Sequence, residues 1–172
     1  MFVIICDIDN CYTDSRDWIK FAPTAEQCKD KTIARSLWDK YQSFSFLAKP
    51  NRSVIDLVCS ICELVPIYFV TSREDRKASR EDTIRQIEKF SDGKITIGET
   101  HKLFMRSEFD YRPSAEVKRD IVTDIIKGGN MPVLAIDDDL SNCEMFVSMC
   151  IPTKKYDIET NTFEKFFVPD MN

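Results

Sequence analysis

Short apolar runs alternate along the chain with longer stretches that carry apolar residues at helical spacing. The runs at 2–6, 67–70 and 132–136 are brief and continuous, which is typical of strands buried on both faces of a sheet. The turn residues Asp92-Gly93 precede another run, and the pattern predicts a further short strand at 94–97. These runs are the candidate strands.

The segments between the runs predict helices. Apolar residues recur every three or four positions in 53–64, 80–90, 114–126 and 140–149. Ser114 is a predicted N-cap, and Gly128-Gly129 follow the end of the same helix. Alternating strands and helices predict an α/β fold, a three-layer Rossmann-like and mostly parallel sheet with helices on both faces. Ligands bind such sheets beyond the carboxyl ends of the strands.

Length and composition narrow the class of protein. The 172 residues suggest one domain, and the net charge of -5 argues against a large nucleic-acid footprint, although a local basic patch is compatible with it. The N-terminus lacks the pattern of a signal peptide, and no apolar stretch reaches membrane-spanning length. The 7 cysteines are therefore expected to be reduced thiols in a cytoplasmic protein. We interpret the pair Cys59 and Cys62 as core residues of a helix rather than as metal ligands.

Polar residues that could carry chemistry follow the predicted strands. Asp7 and Asp9 come after the first strand, Thr71-Ser72-Arg73 after the second, and Asp137-Asp138-Asp139 after 132–136. Lys118 lies in the first turns of the helix that begins near Ser114. Clustered carboxylates suit a hard cation such as Mg²⁺, and lysine, arginine and threonine suit phosphate. No Cys–His or Ser–His arrangement is evident, so a carboxylate is the natural nucleophile, and His101 is interpreted as incidental.

This order of residues resembles the haloacid dehalogenase superfamily of phosphotransferases. Asp7-Ile8-Asp9 is similar to its first motif, Thr71 to its second, Lys118 to its third and Asp137-Asp138 to its fourth. Within that superfamily the chain is most similar to the phosphatase domain of phage polynucleotide kinase and its small stand-alone relatives. The stretches that carry this closer resemblance are Val70–Glu74, Leu103–Arg106, Asp110–Pro113, Glu116–Lys118 and Leu134–Asp138. The resemblance covers residues 2 to about 152 and implies the haloacid dehalogenase fold.

The resemblance also implies a role for each matching residue. Asp7 would attack phosphorus and form an aspartyl-phosphate, and Asp9 would act as general acid and base. Mg²⁺ would be held by Asp7, the carbonyl oxygen of Asp9, Asp137 and Asp138. Thr71 and Lys118 would hold the phosphoryl oxygens. The expected substrate-binding residues are Ser72, Arg73, Arg106 and Arg112.

The region after the first motif shows one departure from the family's pattern and one insertion of a kind that forms lids in this superfamily. The family usually has Asp-Gly-Thr at its first motif, whereas this chain has Asn10 and Cys11 after Asp9. An insertion at about 13–50 follows the first strand, and we expect it to form a small helical cap or lid. The insertion region is rich in aromatic residues that could stack on a nucleobase, although we expect most of them to pack within the protein.

The sequence thus predicts a Mg²⁺-dependent phosphomonoesterase that acts on a nucleotide or on a nucleic-acid 3′-phosphate end. The chain contains no G-x-x-x-x-G-K-[ST] loop, so it lacks the kinase part of polynucleotide kinase. Three alternatives remain: a catalytically impaired relative that binds phosphate ligands, a receiver-type phospho-acceptor domain, and a metal-dependent nuclease. In a receiver domain the lysine follows the phospho-accepting aspartate, whereas Lys118 precedes Asp137. The oligomeric state is not indicated.

Overall fold

The structure is a computed structural model that describes residues 1–24 and 26–167, with the backbone alone at 165–167. Its strands are β1 (Phe2–Cys6), β2 (Thr13–Asp14), β3 (Lys49–Pro50), β4 (Ile67–Glu74), β5 (Lys102–Arg106), β6 (Met131–Asp137), β7 (Thr153–Asp157) and β8 (Thr162–Phe167). Its α-helices are α1 (Lys31–Phe44), α2 (Arg52–Ile61), α3 (Lys77–Phe90), α4 (Ser114–Lys127) and α5 (Leu140–Ser148). Short 3₁₀ helices span Arg16–Phe21, Gln27–Lys29 and Ser45–Leu47.

Six strands form the main sheet, in the order β5-β4-β1-β6-β7-β8. All neighbouring pairs are parallel except β7 and β8, which are antiparallel. Successive side chains of a strand point to opposite faces, and β1 shows this clearly. Ile4 packs in one buried cluster with α2 and α3, whereas Ile5 packs in a second cluster with α4 and α5. The predicted three-layer Rossmann-like α/β fold is therefore confirmed.

The edge of the sheet differs from the prediction. Residues 94–97 form no strand, and Ile97 makes only an isolated bridge with His101. The backbone N–H of Ile95 bonds to the hydroxyl of Ser91, so this segment satisfies its polar groups in a local turn. The edge strand is instead β5, which begins at Lys102, five residues after Ile97, and pairs with β4.

The start of α4 also differs from the prediction. Pro113 occupies the N-cap position and Ser114 is the first helical residue, without a capping hydrogen bond from its side chain. The hydroxyls of Ser114 and Ser72 instead share a hydrogen bond of 2.6 Å. The first turn of α4 is thereby joined to the end of β4.

The insertion between β1 and α2 is closed at its base by the short antiparallel pair β2 and β3. Three of its aromatic rings stack, with centroids of Trp18 and Phe44 at 5.1 Å and of Phe21 and Phe44 at 4.9 Å. Tyr12 and Tyr41 are buried. Most of the aromatic residues in this region thus pack within the protein.

Three further observations concern His101, the pair Cys59 and Cys62, and the length and polarity of the helices. His101 accepts a hydrogen bond at Nδ1 from the backbone N–H of Ile67, at the start of β4 and away from the carboxyl ends of the strands. Cys59 and Cys62 lie on or next to α2, and Cys62 belongs to the buried core. Among the described helices, none is both long enough and apolar enough to cross a membrane.

Candidate active site

The parallel strands bring the predicted site residues to one edge of the sheet. Asp7 follows β1, Thr71 lies in β4, and Asp137 ends β6. A cavity of about 560 Å³ opens at this edge. Of the residues predicted from the sequence, those that line it are Asp7, Asp9, Thr71, Ser72, Arg73, Arg106, Arg112, Lys118 and Asp138. Asp137 is completely buried.

Lys118 joins two buried carboxylates. Its Nζ lies 2.5 Å from Oδ1 of Asp7 and 2.6 Å from Oδ2 of Asp137, and all three side chains are almost inaccessible to solvent. Burial by itself would lower the pKa of Lys118, but the charges of Asp137 and Asp7 outweigh burial and raise that pKa above its ordinary value. The lysine therefore carries its charge into the site.

Asp137 is fixed by further donors. Its Oδ1 accepts hydrogen bonds from the side-chain amide of Asn142 at 3.0 Å and from the backbone N–H of Asp139 at 3.1 Å. Asp139 in turn caps α5 by accepting from the backbone N–H of Asn142. Asn142 is a site residue that sequence reasoning missed, and its signal is a polar residue on the inner face of the helix that follows the acidic triplet.

The acidic cluster has the chemistry of a divalent-cation site. Asp7, Asp137 and Asp138 each offer a carboxylate oxygen, and these oxygens all lie within 4.8 Å of one another. Burial, assisted by the charge of Asp137, raises the pKa of Asp138 to about 7, and burial raises the pKa of Asp7 well above its ordinary value. Crowded carboxylates of this kind are stabilised in their ionised form by a bound cation. The donor set therefore fits Mg²⁺, which prefers oxygen ligands.

Asp9 does not contribute its carboxylate to that cluster. Its two carboxylate oxygens instead receive hydrogen bonds from Nε and Nη2 of Arg73, at 2.9 and 2.7 Å. The hydroxyl of Ser15 donates to the same carboxylate at 3.0 Å. Burial would raise the pKa of Asp9, but the charge and hydrogen bonds of Arg73 outweigh burial and lower it. This orientation leaves only the backbone carbonyl of Asp9 for the metal contact that the resemblance implies.

Arg73 lies beneath Asp9 with its donors engaged inside the protein. Its Nη1 donates to the hydroxyl of Thr83 at 3.0 Å and to the side-chain oxygen of Gln86 at 2.8 Å. The Gln86 amide then donates to the carbonyl oxygen of Ser45, at the end of the insertion. The sequence predicts that Arg73 binds substrate, and these contacts also make it a support for Asp9. Gln86 was missed by sequence reasoning, although a polar residue on the inner face of α3 is a signal for it.

The remaining predicted substrate residues frame the cavity. Arg106 donates from Nε to the carbonyl oxygen of Ser72 at 3.0 Å and from Nη1 to the carbonyl oxygen of Asp110 at 2.8 Å. Arg112 forms ion pairs with Asp110 and Asp120, each at 2.7 Å. Many of the N–H groups of these two arginines therefore bind residues in or next to the loop between β5 and α4.

The departures at Asn10 and Cys11 have a structural explanation. Asn10 has a φ of 58°, a left-handed conformation that asparagine tolerates better than most residues. Cys11 is buried, and its thiol donates to the carbonyl oxygen of Ile136 at 3.7 Å. Burial raises the pKa of the Cys11 thiol well above its ordinary value, so the thiol keeps its proton and remains a donor. Both residues are therefore accommodated in the loop that follows β1.

Comparison with known proteins supports this picture. The family model of the polynucleotide kinase phosphatase domain matches residues 3–159. Two solved structures, of a Pnkp1/Rnl/Hen1 complex and of the Pnkp1/Rnl/Hen1 RNA repair complex, are similar with TM-scores of 0.62 and 0.65 and 17% sequence identity. Each likeness covers 90% of this chain, which spans 44% and 42% of the matched chains. Similarity at that identity bears on the fold alone.

The search of curated proteins finds no match. The family model covers far more than half of the 172 residues, and the α/β fold is consistent with it. The chain belongs to the polynucleotide kinase phosphatase domain family of the haloacid dehalogenase superfamily.

Proposed function

We propose that this protein is a Mg²⁺-dependent phosphomonoesterase that removes phosphate from a nucleic-acid end or a nucleotide. The observation that carries the proposal is the position of Asp7 at the base of the cavity, in contact with Lys118 and beside Asp137 and Asp138. Family membership supports phosphatase chemistry on nucleic-acid ends.

Asp7 supplies the nucleophile. One of its carboxylate oxygens contacts Lys118, so the other attacks phosphorus while the bond from phosphorus to the ester oxygen breaks. The product of this step is an aspartyl-phosphate and a free hydroxyl on the leaving group. Lys118 and Thr71 hold the phosphoryl oxygens in place. Mg²⁺, held by Asp7, Asp137, Asp138 and the carbonyl of Asp9, would neutralise charge that accumulates on these oxygens.

Asp9 moves the proton. In the free protein Arg73 keeps its carboxylate ionised. A phosphate anion bound next to it raises its pKa, so Asp9 takes up a proton and gives it to the leaving oxygen. Asp9 then removes a proton from water, which attacks phosphorus and releases phosphate from Asp7. Arg73 holds the carboxylate in one orientation through both steps.

The test is phosphate release from a panel of substrates at fixed Mg²⁺. The panel contains a 3′-phosphorylated oligonucleotide, 3′- and 5′-nucleoside monophosphates and an aryl phosphate. Asp7→Asn is the matched control because it keeps the shape of the side chain and removes the nucleophile. We expect release that is lost in Asp7→Asn and in the presence of a chelator, with the preferred substrate identifying its class.

The opposite result would be no release from any member of the panel by folded protein. If such protein still binds Mg²⁺ and phosphate, the catalytically impaired alternative replaces the proposal. Release that persists in Asp7→Asn would also contradict it, because the phosphoryl group would then not pass through Asp7.

A further inference from the structure

One face of α1 lines the catalytic cavity. Lys31, Arg35, Trp38 and Tyr41 follow one another at spacings of three or four residues, and all four lie in the cavity wall. This spacing places side chains on a single side of a helix. The pattern ends in an aromatic residue near the catalytic residues and begins with two basic residues farther away.

The C-terminal half of α1 is fixed near the catalytic residues. Tyr41 is buried, and its pKa is raised by burial and also by the nearby charge of Asp9. The side-chain oxygen of Gln42 accepts a hydrogen bond from the backbone N–H of Glu74 in β4 at 3.2 Å. Since a helix rises about 1.5 Å per residue, Trp38 lies about 5 Å and Lys31 about 15 Å before Tyr41 along the axis.

Trp38 presents an aromatic surface to the cavity. It is 42% exposed, in contrast to the buried Tyr41, and its ring meets that of Tyr41 edge-on at 5.7 Å. Elsewhere in the insertion, the rings of Trp18, Phe21 and Phe44 stack on one another instead of facing the cavity. An exposed indole next to a phosphate site is suited to stack a nucleobase, because every base has an aromatic face.

The basic residues lie beyond Trp38. The guanidinium of Arg35 lies over the rings of Phe109 and Tyr111, at 4.8 and 5.6 Å. Its ion pair with Asp39 is long, at 3.8 Å, and Asp39 lies closer to Arg76, at 2.9 Å. The charge of Arg35 is therefore only loosely neutralised. Lys31, one turn farther, is exposed.

We propose that this face of α1 is a binding track for a nucleic-acid strand end. The base of the terminal nucleotide stacks on Trp38, and the phosphate of the preceding nucleotide binds Arg35 and Lys31, while the terminal phosphate lies at Asp7. The track favours a phosphorylated strand end over a mononucleotide or a small phosphomonoester. This inference rests on the proposed function, whose substrate it narrows.

The first experiment tests the base subsite. KM is measured for a 3′-phosphorylated trinucleotide, for the same trinucleotide with an abasic terminal residue, and for glycerol phosphate. We expect wild-type protein to prefer the normal trinucleotide over the abasic one by about tenfold, the size of one stacked base. Trp38→Leu should abolish this preference and Trp38→Phe should retain most of it. A preference that survives Trp38→Leu would overturn the base subsite.

The second experiment tests the phosphate subsite. The Kd of a fluorescent 3′-phosphorylated trinucleotide is measured against salt in an Asp7→Asn background, with Lys31→Gln and Lys40→Gln compared. Lys40 is on the same helix but lies over the ring of Phe21, at 4.4 Å. Lys31→Gln should reduce the slope of log K against log salt by about 0.7, whereas Lys40→Gln should not. Equal slopes in the two variants would overturn this part.

The two proposals fail in different ways. Binding in the Asp7→Asn background does not need turnover, so Trp38→Leu can be examined there with normal and abasic trinucleotides. If wild-type protein releases no phosphate but Trp38→Leu weakens binding of the normal trinucleotide alone, the proposed function fails and the track stands. If phosphate is released but normal and abasic ends bind alike, the track fails and the proposed function stands.

Discussion

The base of the cavity and the insertion that lines its wall are stabilised by different kinds of contact. At the base, Lys118, Asp7 and Asp137 are buried and joined by ion pairs of 2.5 and 2.6 Å. In the insertion, the ion pair of Lys49 with Asp17 is exposed on both sides, and packing depends on stacked aromatic rings. We call these regions the cavity floor (Asp7, Asp9, Thr71, Arg73, Lys118 and Asp137) and the insertion (residues 13–50).

This contrast predicts different effects of substitutions in the two regions. A buried charge network is costly to disturb, because removal of one partner leaves the others without compensation. Exposed ion pairs contribute little and are screened by salt. Substitutions in the cavity floor are therefore expected to change turnover and stability together. Substitutions in the insertion are expected to change substrate preference.

The largest effect is expected from Lys118→Met in the cavity floor. The variant leaves Asp7 and Asp137 buried without their cation, so the free energy of unfolding should fall by about 3 kcal/mol. Mg²⁺ should restore part of the loss, because it compensates the same carboxylates. Urea unfolding at pH 7, with and without Mg²⁺, measures both effects. Lys127→Met is the control because that lysine is exposed.

Two results would contradict this expectation. Lys118→Met could prove as stable as the Lys127→Met control, which would mean that the network contributes little. Alternatively, Mg²⁺ could stabilise wild type and Lys118→Met equally, which would place the cation away from these carboxylates.

The next effect tests the contact between the two regions. Gln86→Leu removes the acceptor for Arg73 and the donor to Ser45, so Asp9 should lose its fixed orientation. We expect kcat on a nucleoside 3′-phosphate to fall about tenfold, within the range that general acid catalysis contributes. The effect on an aryl phosphate should be smaller, because its leaving oxygen needs less protonation. Arg85→Leu, on the exposed side of the same helix, is the control.

An equal fall of kcat on both substrates would contradict this reading of Gln86. It would indicate that the residue supports the fold of the site rather than the proton transfer by Asp9. Thr83→Val offers an independent check, because the Thr83 hydroxyl also contacts Arg73 at 3.0 Å.

A smaller effect should follow from Trp18→Leu in the insertion. This variant removes a stacked ring from the contact with Phe44, which is worth about 1 kcal/mol beyond its buried area. The wall of the cavity should loosen, so KM should rise severalfold while kcat stays close to wild type. Steady-state kinetics on the 3′-phosphorylated trinucleotide measure this. A fall in kcat with unchanged KM would mean that the insertion acts on the chemical step.

The pH dependence of stability tests the opposite end of the sheet. Burial lowers the pKa of His101 below its usual value of 6.5, and its Nδ1 must be unprotonated to accept from Ile67. Below about pH 6.5 the unfolded chain therefore takes up a proton that the folded protein does not, and the free energy of unfolding declines as pH falls toward the folded pKa. His101→Gln should remove this component, as unfolding at pH 7 and pH 5.5 would show. A pH profile identical to wild type would contradict the assignment.

The smallest effect is expected from Cys11→Thr. The threonine hydroxyl can donate to the carbonyl of Ile136 as the thiol does, so stability should change by less than about 1 kcal/mol. Phosphate release should remain within a fewfold of wild type. A rise of kcat of tenfold or more would show that Cys11 impairs the natural enzyme and would favour the phosphate-binding alternative.

Most residues of the cavity floor could be identified from the sequence. Buried parallel strands appear as continuous apolar runs, so β1, β4 and β6 could be located from the pattern, although β4 continues four residues beyond its apolar run, to Glu74. The polar residues Asp7, Thr71 and Asp137 follow or end those runs, and parallel strands bring such positions to one edge. Lys118 could be added because α4 begins near Ser114.

Other features required long-range contacts. The edge strand was predicted at 94–97, but the local turn at Ser91 satisfies that backbone and the sheet pairs with Lys102–Arg106 instead. Arg73 was predicted as a site residue from its position after an apolar run, but only the fold shows that it donates hydrogen bonds to Asp9 and Gln86. The sequence around an arginine does not indicate which side chains will accept its hydrogen bonds in the folded protein.

The sequence by itself determined the alternation of the central strands β1, β4 and β6 with helices and the residue types at their carboxyl ends, because periodicity and motif spacing are local properties of the chain. The tertiary structure alone decided which donors each charged group meets. It turned Asp9 toward Arg73, joined Asp7 and Asp137 through Lys118, and laid α1 along the cavity. Those contacts join residues up to 111 positions apart, so they depend on packing of the whole sheet rather than on any local pattern.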